Sequence, residues 1–159
     1  MARKIFIWLI FGGMAILLIV AFLNINVLND FISNEMKKMV DTETSITAEE
    51  LIDSKYNYAK NGMSYEFTLL EFGSTGCTIC KRMEGELEKI KKSNSNNINV
   101  VFLNTTHPEN QTMVKYLGIA AIPMQVLLDK NGNEFFKHYG YISAEDLVGK
   151  TVENVAKEL

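Results

Sequence analysis

Leu69 to Arg82 reads LLEFGSTGCTICKR. It joins an apolar stretch, a short Gly/Ser/Thr turn and the chain's two cysteines, Cys77 and Cys80. Downstream, Ile79, Met83, Leu87 and Ile90 recur at helical spacing, which predicts a helix from Cys77 to about Lys92 with those residues on its buried face. A strand running into a helix that opens on a CxxC pair has specific chemistry. Cys77 at the helix N-terminus faces unpaired backbone N–H groups and the positive end of the helix dipole. Both favour the thiolate, the attacking species in disulfide exchange. Cys80 follows almost one turn later, within reach of a mixed disulfide formed at Cys77. Lys81 and Arg82 add positive charge, and no acid is nearer than Glu84. Cys77 is therefore the candidate nucleophile and Cys80 the candidate resolving thiol. Three other readings stay open: half of a zinc site completed by His107 and His138, two unrelated buried cysteines, or an inert structural disulfide.

The elements outward from this segment alternate. Thr47-Ala-Glu-Glu50 has the capping-box pattern and predicts a helix to about Asn61, stopped by Asn61-Gly62. Tyr65 to Phe72 suits a buried strand. Ser93 to Asn97 reads as a polar loop, and Ile98 to Asn104 as a second apolar strand. Pro108 starts a short helix ending near Gly118. Met124 to Asp129 and Glu134 to Tyr139 flank Lys130-Asn131-Gly132, a hairpin signal. Ser143 caps a last helix whose core face is predicted to be Leu147, Val152, Val155 and Leu159. The order α-β-α-β-α-β-β-α predicts an α/β or α+β domain around a mixed sheet.

Ahead of the domain, Ile5 to Leu23 is an unbroken uncharged run. Nineteen helical residues at about 1.5 Å each span roughly 28 Å, close to a hydrocarbon core. Arg3 and Lys4 stand on its N-terminal side and the next Lys is Lys37. That asymmetry predicts an anchor with its N-terminus in the cytoplasm and all later residues outside. A signal peptide cleaved after Ala21 is the alternative. The expected organisation is a cytoplasmic segment 1–4, a transmembrane anchor 5–23, a linker 24–44, helical in part, and a domain 45–159. Leu28, Ile32, Met36 and Met39 recur at helical spacing in the linker, whose expected task is to hold the domain off the surface.

The 159 residues carry a net charge of −3, and the part beyond Arg3 and Lys4 carries −5. A weakly acidic chain lacks the clustered basic residues of a nucleic-acid binder. Two cysteines exclude a disulfide-stapled miniprotein and a four-cysteine zinc site. No Gly-rich nucleotide motif is present.

The segment LLEFGSTGCTICKR, together with VVFLN (100–104) and GIAAIP (118–123), resembles the thioredoxin superfamily. The likeness runs from about Ala48 to Leu159, and the chain resembles the membrane-anchored bacterial members that work outside the cell membrane. It implies a thioredoxin-like fold, thiol–disulfide exchange through a redox-active Cys77–Cys80 disulfide, and no other cofactor or metal. It implies a cis Pro123, beside which the Ile122 backbone pairs with an extended substrate. Gly76 and Gly140 are further candidate substrate-binding residues. Glu71, six residues before Cys77, matches a buried acid that takes the Cys80 proton. The departures are specific: Gly76 stands where the family usually has Trp, Thr78-Ile79 where it has Gly-Pro, Gly85 where it has a kinking Pro, and Phe102 where a Lys neighbours the acid. Phe102 is expected to make the surroundings of Glu71 drier.

Neither Thr78 nor Ile79 can supply a cation to the thiolate, so a reducing couple is expected rather than a strong oxidant. The expected function is a membrane-anchored reductase of extracytoplasmic protein disulfides. The resemblance implies a membrane thiol transporter as its electron donor. The alternatives are a disulfide oxidase or isomerase, and a tethered thiol or metal-binding module in which two thiolates hold Cu(I) or zinc.

Overall fold

The computed structural model describes residues 2–93 and 97–158. Two helices, α1 (Ala2–Leu23) and α2 (Ile25–Lys38), precede α3 (Thr42–Tyr56) and the single turn α4 (Tyr58–Asn61). Then come β1 (Phe67–Gly73), α5 (Thr78–Ser93), β2 (Ile98–Asn104), a 3-10 turn (Pro108–Asn110), α6 (Gln111–Tyr116), β3 (Met124–Leu128), β4 (Glu134–Tyr139) and α7 (Ala144–Glu158). Among the described residues no helix is long and apolar enough to cross a membrane. Ile5, Phe6 and Phe22 of the predicted span lie outside the residues whose side chains are described, as do residues 94–96 of the predicted loop and Leu159 of the predicted last-helix face.

The sheet order is β2-β1-β3-β4, with β1 parallel to β2 and antiparallel to β3, and β3 antiparallel to β4. All seven residues of β1 are buried. A strand with helices on both faces reads as a continuous apolar run, which is why LLEF lacks strict alternation. One face carries Leu70, Phe72, Met124, Val126 and Leu128 against Ala48, Ile52 and Met113 of α3 and α6. The other carries Phe67, Leu69 and Leu127 against Met83, Leu87 and Ile90 of α5 and Leu147 of α7. Each fully buried large side chain contributes about 1.5–3 kcal/mol relative to exposure.

Four details differ from the expected elements. Helix α3 starts at Thr42, not Thr47, because Asp41 is the cap: its carboxylate accepts the Thr44 N–H at 2.8 Å. Thr47 lies inside the helix and its hydroxyl donates to the Glu43 carbonyl. On α5 the buried stripe begins at Cys80 and continues through Met83, Leu87 and Ile90, while Ile79 is exposed. On α7 the buried pair is Leu147 and Thr151, spaced i and i+4, and Val152 and Val155 are exposed. The residues of 24–44 form helix α2 and the start of α3, and α2 is bonded to the domain: Lys137 Nζ donates to Ser33 Oγ (3.0 Å) and Tyr139 Oη to the Asn29 carbonyl (3.1 Å). Gly118 sits under it at φ +63°, where a Cβ would collide with the Ser33 carbonyl oxygen.

Candidate active site

Cys77 and Cys80 form a disulfide with a Cα–Cα separation of 5.2 Å, at the entry to α5. The chain reaches it through Ser74-Thr75-Gly76, a turn closed by Cys77 N–H donating to the Ser74 carbonyl at 3.2 Å. The end of β1 is fixed by Thr105, whose N–H donates to the Gly73 carbonyl at 2.8 Å. The two sulfurs are not equivalent. Cys77 is half-buried and Cys80 is buried. The Cys80 N–H donates to Cys77 Sγ at 3.1 Å, one of the orphan N–H groups of the helix start now aimed at sulfur. That bond and the helix terminus favour negative charge on Cys77, which is also the sulfur a partner can reach.

Glu71 stands on β1, on the α5 side of the sheet with Leu69 and Gly73, and is 1% exposed. Its neighbour in register on β3 is Gln125, also fully buried. Gln125 Nε2 donates to Glu71 Oε2 at 2.8 Å. Among the described residues Glu71 Oε1 and Gln125 Oε1 have no hydrogen-bond partner. Burial pushes the Glu71 carboxyl up to about 8, against the smaller opposing effect of the Gln125 amide. The group is thus a carboxylic acid that exchanges its proton near neutral pH. Phe102 is its partner in register on β2 but is 44% exposed. The Phe102 ring edge lies beside Gly73: a Cβ on Gly73 would come within 2.9 Å of Phe102 Cε2 and 3.3 Å of Cys80 Sγ.

The Ile122–Pro123 peptide bond is cis. Pro123 is buried and Ile122 exposed. Gly140, at φ +85°, donates its N–H to the Pro123 carbonyl at 2.8 Å. Gly76 is exposed, with open space where a Cβ would stand. Tyr141 continues this rim. Its ring lies under the Arg82 guanidinium, 4.7 Å from Cζ to centroid, and its hydroxyl donates to Glu86 at 2.9 Å. Glu86 also accepts the Ala144 N–H, so it joins α5 to the start of α7. Its carboxyl is lowered to about 2 by Lys89 first, then by the Ala144 N–H and Tyr141. His138 lies 3.2 Å from the Tyr141 carbonyl and His107 3.2 Å from Glu109; they do not come together with the cysteines. Among the described residues no group of three or more His, Cys, Asp or Glu is placed to hold a metal.

Sequence reasoning missed Gly73 and Gln125. Gly73 carries a signal in hindsight, a glycine ending an apolar strand just before CxxC. Gln125 carries one too, a polar residue inside the apolar run MQVLL.

Residues 52–152 match the family model for a thioredoxin-like domain. The chain is similar to the chloroplastic thioredoxin-like protein HCF164 of Arabidopsis thaliana, 25% identical over 103 residues, covering 65% of this chain and 40% of that protein. The same protein of Oryza sativa subsp. japonica is 28% identical over 67 residues, covering 42% of this chain and 26% of that protein. The chain thus spans less than half the length of these relatives. In structure it is similar to a malaria parasite thioredoxin-2, described as a component of the parasite's protein secretion machinery (TM-score 0.51, 19% identity, covering 57% of this chain and 85% of that one). It is also similar to the exposed lipoprotein thioredoxin Etrx1 of Streptococcus pneumoniae (TM-score 0.50, 16% identity, 55% and 84%). With a CxxC disulfide where the strand β1 feeds the helix α5, the fold supports thiol–disulfide exchange, and the chain belongs to the thioredoxin-like domain family.

Proposed function

We propose that this chain is a membrane-anchored protein-disulfide reductase working outside the cytoplasmic membrane. The observation that carries the reading is the asymmetry of the pair: a reachable Cys77 whose sulfur accepts an N–H, and a buried Cys80 on the same face of the sheet as the buried acid Glu71. In the reduced protein the Cys77 thiolate attacks one sulfur of a substrate disulfide and expels the other as a thiolate. Cys80 then gives up its proton, which Glu71 accepts, and attacks Cys77 Sγ. The second substrate thiol leaves, and two electrons have passed to the substrate while Cys77–Cys80 has become the disulfide. Glu71 suits this step because its proton affinity near neutrality lets it take a proton from Cys80 and return it later. Ile122 and Gly76 at the exposed rim offer backbone and space to an extended segment around the substrate disulfide.

The reducing direction is supported by the absence of a cation between the cysteines, since strong oxidants hold their thiolate more firmly. The anchor and the outward location are supported by the uncharged run Ile5–Leu23 behind Arg3 and Lys4. Disulfide-bonded extracytoplasmic proteins are then the substrates, and a membrane thiol carrier the electron donor. Cys80→Ser tests the reading. A reductase lacking its resolving thiol accumulates mixed disulfides through Cys77 that disappear on adding dithiothreitol. A thiol module for metal would trap no protein and would lose bound metal instead.

A further inference from the structure

Helix α2 turns its polar side to the domain and its apolar side outward. On the inner side Tyr139 donates to the Asn29 carbonyl, Lys137 donates to buried Ser33, and Lys37 pairs with Glu134 at 2.7 Å. These contacts take β4 in reverse order, so α2 lies antiparallel to β4 and is fixed along it. On the outer side stand Val27, Leu28, Phe31 and Ile32, with Val27 66% and Phe31 61% exposed. A helix on the surface of a domain normally has the opposite arrangement. A simple spacer would need neither the fixed docking nor the apolar stripe.

The stripe is densest in the first two turns, where Asp30 is the one charged residue; Asn34, Glu35, Lys37 and Lys38 follow, with Met36 half-buried among them and Met39 exposed at the C-cap. Only Asn24 separates α1 from α2, and it bonds to both: Asn24 N–H to the Val20 carbonyl, and Leu28 N–H to the Asn24 carbonyl, each 3.1 Å. At ~1.5 Å per residue, Ile32 is at most about 14 Å beyond Leu23. A headgroup layer of roughly 5–8 Å lies outside the hydrocarbon core, so a tilted α2 keeps the stripe at its level. The polar second half then rises away from it.

We propose that α2 seats the domain on the lipid surface, with Val27, Leu28, Phe31 and Ile32 in the headgroup layer and the Cys77–Cys80 end of the sheet facing the bilayer. The seat rests on the reading of Ile5–Leu23 as an anchor. The orientation follows from register. Tyr139, next to the lower half of α2, pairs with Met124, and Met124 pairs with Phe72 at the end of β1. Pro123 and the turn to Cys77 therefore share the membrane-side end, and the Asn131–Gly132 turn is at the other. The partner that fits is a disulfide or dithiol carried by another membrane-held chain near headgroup height, rather than one diffusing in bulk.

Trp fluorescence of the full chain in phosphatidylcholine vesicles tests this. Native Trp8, the chain's one tryptophan, reads the anchor against acyl-brominated lipid. Phe31→Trp, Tyr141→Trp and Asn131→Trp, each in a Trp8→Phe background, read the seat against lipid with a nitroxide on its headgroup. All three positions are exposed, so the core is left intact. The expected result is strong quenching of Trp8, and at least twofold more quenching of Phe31→Trp and Tyr141→Trp than of Asn131→Trp. An unquenched Trp8 removes the anchor and the seat together. A quenched Trp8 with Phe31→Trp no more quenched than Asn131→Trp overturns the seat alone, and blue-shifted emission in that case assigns the stripe to a protein partner or a second copy. Equal quenching of Tyr141→Trp and Asn131→Trp overturns the orientation.

Discussion

The amide of Gln125 donates a 2.8 Å hydrogen bond to the carboxyl of Glu71 across the β1–β3 ladder, and both side chains are sealed from water beneath α5. The pair sets when the acid is charged. Burial raises the carboxyl to about 8 from an ordinary 4.5. The folded state therefore holds this proton more tightly than the unfolded chain does. Stability contributed by the neutral acid is complete below about pH 4.5 and is lost as pH rises through about 8. Glu71→Gln removes the titration. Urea denaturation of the oxidised protein at pH 5 and pH 9 should show the wild type losing ground to Glu71→Gln by up to about 4 kcal/mol, at about 1.4 kcal/mol per pH unit between the two values. A constant difference across that range would contradict the raised pKa.

Gln125→Leu removes the one side-chain bond that opposes the effect of burial. The Glu71 carboxyl should rise further. The pH midpoint of the resolving step, read in stopped flow as release of thiol from a preformed Cys77 mixed disulfide, should move upward relative to wild type. A midpoint unchanged or lowered would show that the amide does not act on the acid.

Lys137 ties α2 to the domain through Ser33 Oγ at 3.0 Å and the Leu117 carbonyl at 2.9 Å. Burial lowers its ammonium to about 8, with Glu134 opposing. Hydrogen bonds to charged groups contribute about 1.5–3 kcal/mol, and about 1.4 kcal/mol is tenfold in an opening equilibrium. Lys137→Met should therefore speed tryptic cleavage after Lys37 and Lys38 about tenfold, with far-UV circular dichroism unchanged. No change in cleavage would show that α2 is held by other contacts.

Glu86 joins α5 to the entry of α7 through Tyr141 and the Ala144 N–H. Its lowered carboxyl stabilises the fold above the ordinary 4.5 and ceases to do so as pH falls toward about 2. In acid titrations followed by near-UV circular dichroism, the wild type should lose more stability over that window than Glu86→Gln, which keeps only the losses due to Asp41, Asp53 and Glu109. Parallel acid curves for the two proteins would contradict this.

Much of this architecture is legible in the amino acids. The run FTLLEFG is apolar on both faces because both are covered, Ser143 caps α7 through the Asp146 N–H, and Gly62 ends α4 in the left-handed region. The misreadings have separate causes. Val152 and Val155 have helical core spacing, yet Thr151 is the residue turned inward; periodicity locates a stripe only to within a residue. Asp41 is hidden as the cap because a second capping pattern, at Thr47, falls inside the same helix. The docking of α2 is illegible because it uses the Asn29 carbonyl, the Ser33 hydroxyl and a half-buried lysine rather than an apolar face.

The central claim is the direction of electron flow, and the reduction potential of Cys77–Cys80 tests it most directly. The full-length protein in detergent would be equilibrated against dithiothreitol and glutathione buffers, and its thiols counted by alkylation. The account predicts a midpoint near that of thioredoxin, about −270 mV. A midpoint above roughly −180 mV would contradict it and make the protein an oxidant or isomerase.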